Sequence, residues 1–291
     1  MTPRDGSDVP ENNRWSDLDR PPLGEAGLRR SLLRGDGLWS SLEVVPRTGS
    51  TNTDLVTRAS SGAVAEGAVL IAEEQSAARG RLDRRWSAPP RSGLFFSVLL
   101  KPGEHEVPVE RWGWLPLLAG VALATGLSSA AGVDTALKWP NDLLLTVGGE
   151  ERKAAGILAE RAGADGVVVG IGLNVSLRAE ELPVATAGSL ALAGAKVVDR
   201  EPLLRAVLRS FERWYLEWCA AQGDPGVSGL QATYAAGCAT LGRSVRAQLP
   251  GGRDLVGEAV AVDSDGRLVI APADGPRESV GAGDIIHLRP A

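Results

Sequence analysis

The chain has 291 residues, of which 44% are hydrophobic and 23% charged, and its formal net charge is −5. That length holds one large domain and a small one, and the composition is that of an ordinary globular protein. The acidic balance excludes a general nucleic-acid binder, which would carry a basic surface. No apolar run approaches the ~20 residues that span a bilayer. The polar N-terminus, MTPRDGSDVPENNRWSDLDRPP, lacks the apolar stretch of a signal peptide. Cys219 and Cys238 have no histidine near them, and His105 and His287 are isolated. This pattern fits reduced thiols in the cytoplasm, not a zinc site or a Ser-His-Asp triad.

In chain order, residues 1–38 precede the main domain. Residues 1–22 read as a disordered tail, and Leu28 to Trp39 as one short helix. A strand is expected at 42–45. Ser50-Thr51-Asn52-Thr53-Asp54 opens a helix, with Thr51 and Asp54 spaced as a capping box and Gly62 at its end. Apolar runs at 68–74, 94–100, 135–138, 143–147, 155–161 and 166–172 predict strands. Trp112 to Leu127, rich in alanine and leucine, predicts a buried helix. The clearest helix is 202–221, where Leu204, Val207, Phe211, Trp214, Tyr215 and Trp218 share one apolar face, read here as core. Later runs at 244–249, 255–262, 268–271 and 285–288 are short and β-like, and Asp265-Gly266 between two of them signals a hairpin. The expected fold is α/β (α+β): a mixed-sheet domain at 39–236, then a small β-barrel at 237–291.

The densest chemical signal is EEQSAARGRLDRRW at 73–86, just after a strand. Arg79, Arg81, Arg84 and Arg85 crowd around Gly80, and each guanidinium offers a planar fork of donors to an anion. Trp86 offers a flat ring for stacking. Phosphate with a heterocycle means a nucleotide or an adenylate. Four further segments stand beside it. Ser50-Thr51-Asn52 is either a helix cap or a grip on a small polar group. Lys138-Trp139-Pro140-Asn141-Asp142 is a turn presenting polar groups at a strand end. Lys153, in KAAGIL, is a surface charge or a cation over a phosphate. Gly170 and Gly172, in GIGLN, allow close approach of a ligand to the strand, but they form no dinucleotide fingerprint.

In this order, the series STN, EEQSAARGRLDRRW, LKWPNDLLL, KAAGILAE and VVGIGLNV resembles biotin protein ligases over residues 42–291. The resemblance implies a class II synthetase-like mixed sheet followed by an SH3-like barrel. It implies activation of biotin by ATP as biotinyl-5′-AMP, then transfer to one lysine of the biotin carboxyl carrier domain of a carboxylase. Carried over, Ser50, Thr51, Asn52, Gln75, Arg79, Gly80, Arg81, Lys153 and Gly156 are the biotin-binding residues. Arg79, Arg81, Trp86, Asn141, Asp142, Lys153 and Asn174 are those of ATP and the adenylate. Lys153 and Arg79 carry the chemistry. Mg²⁺ is expected to be held mainly by phosphates, with Asn141 and Asp142 beside it. Two positions depart from the family pattern: Ala78 and Asp83 stand where glycines are common, which puts loop ordering in question.

A ligase that binds neither DNA nor membrane is expected. Some relatives add an N-terminal winged helix and act as biotin-binding repressors, but only about forty residues precede the first strand here, against the ~60 ordered residues such a module needs. The second alternative is a lipoate ligase or octanoyl transferase of the same fold. Octanoyl transferases need a cysteine nucleophile, and neither Cys219 nor Cys238 lies near the substrate motifs.

Overall fold

Strand β3 (Gly93–Leu100) shows why the chain folds in layers. Its sequence, GLFFSVLL, is buried at every position, so both faces are covered by helices, as periodicity alone would not reveal. Successive side chains point to opposite faces: Phe96, Val98 and Leu100 enter the main core, whereas Leu99 joins a second cluster with Leu55, Leu70 and Val168. The computed structural model describes residues 19–288 apart from 82, 83, 250 and 282.

Seven strands form one mixed sheet: β1 (Ser41–Val45), β2 (Ala68–Ala72), β3, β4 (Thr135–Lys138), β5 (Asp142–Val147), β6 (Glu150–Ala162) and β7 (Gly166–Asn174). Their spatial order is β1-β2-β3-β7-β6-β5-β4. Only β1 and β2 run parallel; the other neighbours are antiparallel. Helix α1 (Glu25–Leu32) leads into β1. Helix α2 (Thr51–Ser60) covers one face of the sheet, and α3 (Leu115–Ala131) and α4 (Arg200–Ala220) pack together over the other. The aromatic stripe of α4 is core: Phe211, Tyr215 and Trp218 are fully buried. By length and composition Val109–Ala131 could cross a membrane, but α3 is the central core helix, its leucines wedged between sheet and α4.

Helix α5 (Leu230–Gly237), which the sequence does not announce, leads to a second sheet of five antiparallel strands. These are β8 (Ser244–Gln248), β9 (Asp254–Val262), β10 (Leu268–Ala271), β11 (Glu278–Val280) and β12 (Asp284–His287), in the order β11-β10-β9-β8-β12. This is the small SH3-like β domain. The Asp265-Gly266 hairpin turn is clasped by the large domain. The Trp114 and Trp139 indole N–H groups donate to the carbonyls of Ser264 (2.9 Å) and Gly266 (3.0 Å), and Arg111 donates to Ser264 at 2.7 Å.

Two expectations shift at the N-terminus. The first helix spans 25–32, not 28–39, because Gly35 and Gly37 interrupt it; Leu38 and Trp39 are buried in an extended approach to β1. Residues 19–22, expected in a disordered tail, are tied down: the Pro21 carbonyl accepts from Arg200, and Arg20 donates to the Ser176 carbonyl at 2.9 Å.

Candidate active site

A cavity of about 300 Å³ opens over β6 and β7, and the residues assigned to biotin and ATP by the resemblance all line it, whereas Lys138, Trp139 and Pro140 do not. Ser50, Thr51 and Asn52 come from the start of α2, and Gln75 to Trp86 from the β2–β3 connection. Asn141 and Asp142 enter β5, Lys153 and Gly156 lie on β6, and Asn174 ends β7. The cavity has two chemically distinct ends.

One end is a closed polar network. Ser50, not Thr51, caps α2: its hydroxyl accepts from the Thr53 N–H at 3.4 Å, while the Asp54 carboxylate accepts from the Thr48 hydroxyl instead of completing a capping box. The Thr51 N–H donates to Gln75 Oε1 at 2.8 Å. Ser97 Oγ lies 2.8 Å from the Thr51 hydroxyl and 2.6 Å from Asn52 Oδ1; its single proton goes to the amide oxygen, so it accepts from Thr51. The Asn52 NH₂ donates to the Leu158 carbonyl (3.1 Å) and the Glu160 carboxylate (2.8 Å). Asn52 is therefore engaged by protein and orients its neighbours. Gly170 makes this possible, since a Cβ there would lie 2.0 Å from Asn52 Oδ1.

The other end carries charge. The Lys153 ammonium lies 2.6 Å from Asp142 Oδ1 and 5.7 Å from the centre of the Trp86 ring. A slip in the β5–β6 pairing at Leu143/Leu144 leaves Ala154 without a partner on β5 and re-aims the strand beside Lys153. Trp86 rests on a glycine floor, where a Cβ on Gly156 or Gly172 would approach the indole to 3.2 or 3.1 Å. The strand glycines thus admit protein side chains, Asn52 and Trp86, a use the sequence reading did not foresee. Arg81 Nη1 reaches Asn141 Oδ1 at 3.5 Å. Burial pulls the Arg81 guanidinium below its ordinary value against the pull of Asp142 and Asp284. Two buried polar atoms here, Trp86 Nε1 and Asn174 Oδ1, have no hydrogen-bond partner among the described residues.

The arginine segment is a tight hairpin. The Trp86 N–H donates to the Ala78 carbonyl at 3.0 Å and the Gly80 N–H to the Arg84 carbonyl at 2.7 Å, with Arg79 bridged to Arg85. Neither Ala78 nor Gly80 is left-handed, so alanine at 78 carries no backbone strain in this conformation. Asp83 lies outside the described residues. Arg84 is ion-paired with Asp284 of β12, which brings the small domain to the cavity's rim.

The model of the biotin/lipoate A/B protein ligase family matches residues 44–174, and that of the biotin protein ligase C-terminal domain matches residues 240–288. The chain is 44% identical over 274 residues to the biotin–[acetyl-CoA-carboxylase] ligase of Mycobacterium tuberculosis, covering 93% of this chain and 97% of that one. The chain belongs to the biotin protein ligase family. Among solved structures, the Aquifex aeolicus biotin protein ligase in complex with biotin and ATP superposes with a TM-score of 0.70 at 27% identity, covering 87% of this chain and all of that one. The Escherichia coli bifunctional ligase/repressor is 35% identical over 204 residues, 66% of this chain and 60% of that one.

The ligase uses residues that its sequence did not flag. Ser97 had a readable signal, a lone hydroxyl inside an apolar strand. Glu160 and Asp284 had none, because their roles depend on which strands meet. Trp139, in the WPND turn, is a joint: it is buried, its N–H donates to Thr240 Oγ1 at 3.1 Å, its indole holds the hairpin of the small domain, and the Trp139–Pro140 peptide is cis. Neither cysteine lines the cavity. Burial pushes the Cys219 thiol up to about 12, the opposite of an activated nucleophile.

No group of three His, Cys, Asp or Glu side chains that could cage a metal occurs among the described residues. The Asn141 NH₂ donates to the Ile157 carbonyl at 2.9 Å, which orients the amide and leaves its Oδ1, with the Asp142 carboxylate, as the hard oxygen donors. Such a donor set fits Mg²⁺ carried largely by substrate phosphates, with one or two protein oxygens.

Proposed function

We propose that the ligase activates biotin with ATP as biotinyl-5′-AMP and then transfers the biotinyl group to one lysine of the biotin carboxyl carrier domain of a carboxylase. The observation that carries this reading is the setting of Lys153. Its ammonium, beside Asp142 and over Trp86, shares one cavity of about 300 Å³ with the Ser50–Gln75 polar network. In the first step a carboxylate oxygen of biotin attacks the α-phosphorus and pyrophosphate leaves. Two anions must approach, so Lys153 and Arg79 are needed to offset their repulsion; one such donor contributes on the order of 3–4 kcal/mol to a transition state. In the second step the carrier amine attacks the acyl carbon and AMP leaves. No protein nucleophile is required.

The polar end suits the ureido ring of biotin, whose donors and acceptor match the preset Ser50, Thr51 and Gln75 groups. Asn52 acts there by orientation, and Gly156 by leaving room. Trp86 supplies the ring for adenine. Asn174, with an unpartnered buried oxygen, and Asn141 serve the nucleotide. Mg²⁺ supplies charge neutralisation on the phosphates, with Asp142 and Asn141 as the side chains that would hold it. Gly80 and Arg81, with Arg79, form a cover that keeps water from the mixed anhydride. On this reading residues 39–236 carry the chemistry and 237–291 brace its rim, in a reducing cytoplasm where both cysteines stay thiols.

The decisive assay incubates purified protein with ATP, Mg²⁺, labelled biotin and an apo carrier domain. Label on a single carrier lysine is expected. Transfer of lipoate with none of biotin would sink the reading.

A further inference from the structure

The segment 19–23 is not a passive leader. Its Arg20 guanidinium is mostly buried, 14% exposed, and bonds both the Glu181 carboxylate and the Ser176 carbonyl. Arg20 is also the main reason the Glu181 carboxyl is held below its usual range. On its other side the segment is pinned to the core. The Leu23 N–H donates to Glu73 at 2.6 Å, and Glu73 forms a buried ion pair with Arg200, which also donates to the Pro21 carbonyl. The segment is thus a strap with one edge fixed in the core and the other holding the connection between β7 and α4.

That connection reaches the cavity. Past Ala155, β7 no longer pairs with β6, and residues 186–188 take its place. The Lys153 N–H donates to the Thr186 carbonyl at 2.8 Å, and the Lys153 carbonyl accepts from the Gly188 N–H at 2.8 Å. Gly188 also accepts from the Asn174 NH₂ at 2.9 Å. Pro183, Val184, Thr186 and Ala187 line the cavity. The backbone of Lys153 is therefore held on this side by a loop that Arg20 tethers through Glu181, beside local bonds such as Ser189 Oγ donating to the Leu177 carbonyl at 2.7 Å and the Ser176 N–H to the Ser92 carbonyl at 2.8 Å.

We infer that the strap positions the charged end of the cavity: Arg20 and Glu181 are positioning residues that hold the 176–188 loop against Lys153. The choice of substrates in the kinetic arm rests on the proposed biotin–ATP reaction; the exchange arm does not. A merely structural strap would lower thermal stability and leave the two substrates equally affected. A positioning strap acts mainly on one end: its bonds go to Ser176, Glu181, Glu73 and Arg200, whereas Thr51 and Gln75 bond each other.

The test uses the full chain with Arg20→Ala, Glu181→Gln, the double variant and Arg20→Lys. Amide hydrogen exchange is read at Lys153 and Gly188, and steady-state constants are measured for ATP and biotin. Expected are faster exchange at both amides in each single variant and a rise of about five-fold or more in KM for ATP. We expect a lowered kcat, KM for biotin within two-fold of wild type, a double variant no worse than either single one, and partial recovery with Arg20→Lys. Wild-type exchange at Lys153 and Gly188 would overturn the inference whatever the activity. So would equal changes in both KM values, or in neither. If the wild-type protein forms no adenylate, the proposed reaction fails while the exchange result still decides the role of the strap.

Discussion

The two ends of the cavity are built on opposite principles. At the Ser50–Gln75 end, Ser97, Asn52 and Glu160 satisfy one another within the protein, on side chains that are buried or half-buried. At the Lys153 end, the partly exposed Lys153–Asp142 ion pair borders the cavity, and Trp86 Nε1 and Asn174 Oδ1 are buried without hydrogen-bond partners among the described residues. A satisfied polar network is rigid and selects a ligand by shape and hydrogen-bond pattern. Charges and orphaned polar atoms instead await a partner that brings its own charge. On the proposed reaction, the contrast divides recognition from chemistry along a single pair of strands, β6 and β7.

The largest expected effect comes from breaking the charged end. Lys153→Ala should slow adenylate formation by about 10²–10³-fold while biotin still binds, measured by pyrophosphate release beside calorimetry. Equal loss of biotin binding would erase the distinction between the ends. Next, Gly170→Ala attacks the polar end through its floor. The new Cβ would meet Asn52 Oδ1 at 2.0 Å, and Asn52 is held in place by Ser97, Leu158 and Glu160, so roughly 1–3 kcal/mol of stability should be lost. KM for biotin should rise by about ten-fold, and KM for ATP should hardly move. Thermal unfolding and kinetics together check this.

The smallest effect concerns the joint behind the charged end. His287 Nδ1 faces Arg243 at 3.2 Å and Nε2 faces Thr240 Oγ1 at 3.1 Å, the hydroxyl that holds the Trp139 N–H. Arg243 can only donate, so the imidazole is neutral with its proton on Nε2. Burial, with Lys138 and Arg243 nearby, pulls its pKa down to about 4 from 6.5. Because the folded value lies below the unfolded one, the unfolded chain binds more protons between them. Stability is full above 6.5 and declines as pH falls toward 4. Between pH 7 and 5 the Tm of His287→Gln should therefore fall less than that of wild type, by a few degrees. Parallel curves would remove His287 from the account.

What the sequence determined by itself follows from local rules. Period-two runs and apolar stripes located all but one of the strands and most helices, missing β11, the helix Leu230–Gly237 and the true bounds of α1. There, low amphipathicity or a glycine break hid the signal. Arg79, Trp86, Asn141, Lys153 and Asn174 were each ambiguous alone and were named only by the family resemblance that the order of the motifs carries; the fold brings all five to one cavity. Only the tertiary structure decided how those residues are held. Gly170 and Gly172 are spacers for Asn52 and Trp86, Trp139 is a joint, Asp284 reaches the rim from the other domain, and Arg20 grips Glu181 across 161 positions of sequence. Each of these depends on which strands and loops become neighbours, and that is set by the burial of the whole sheet, which no local window of sequence contains.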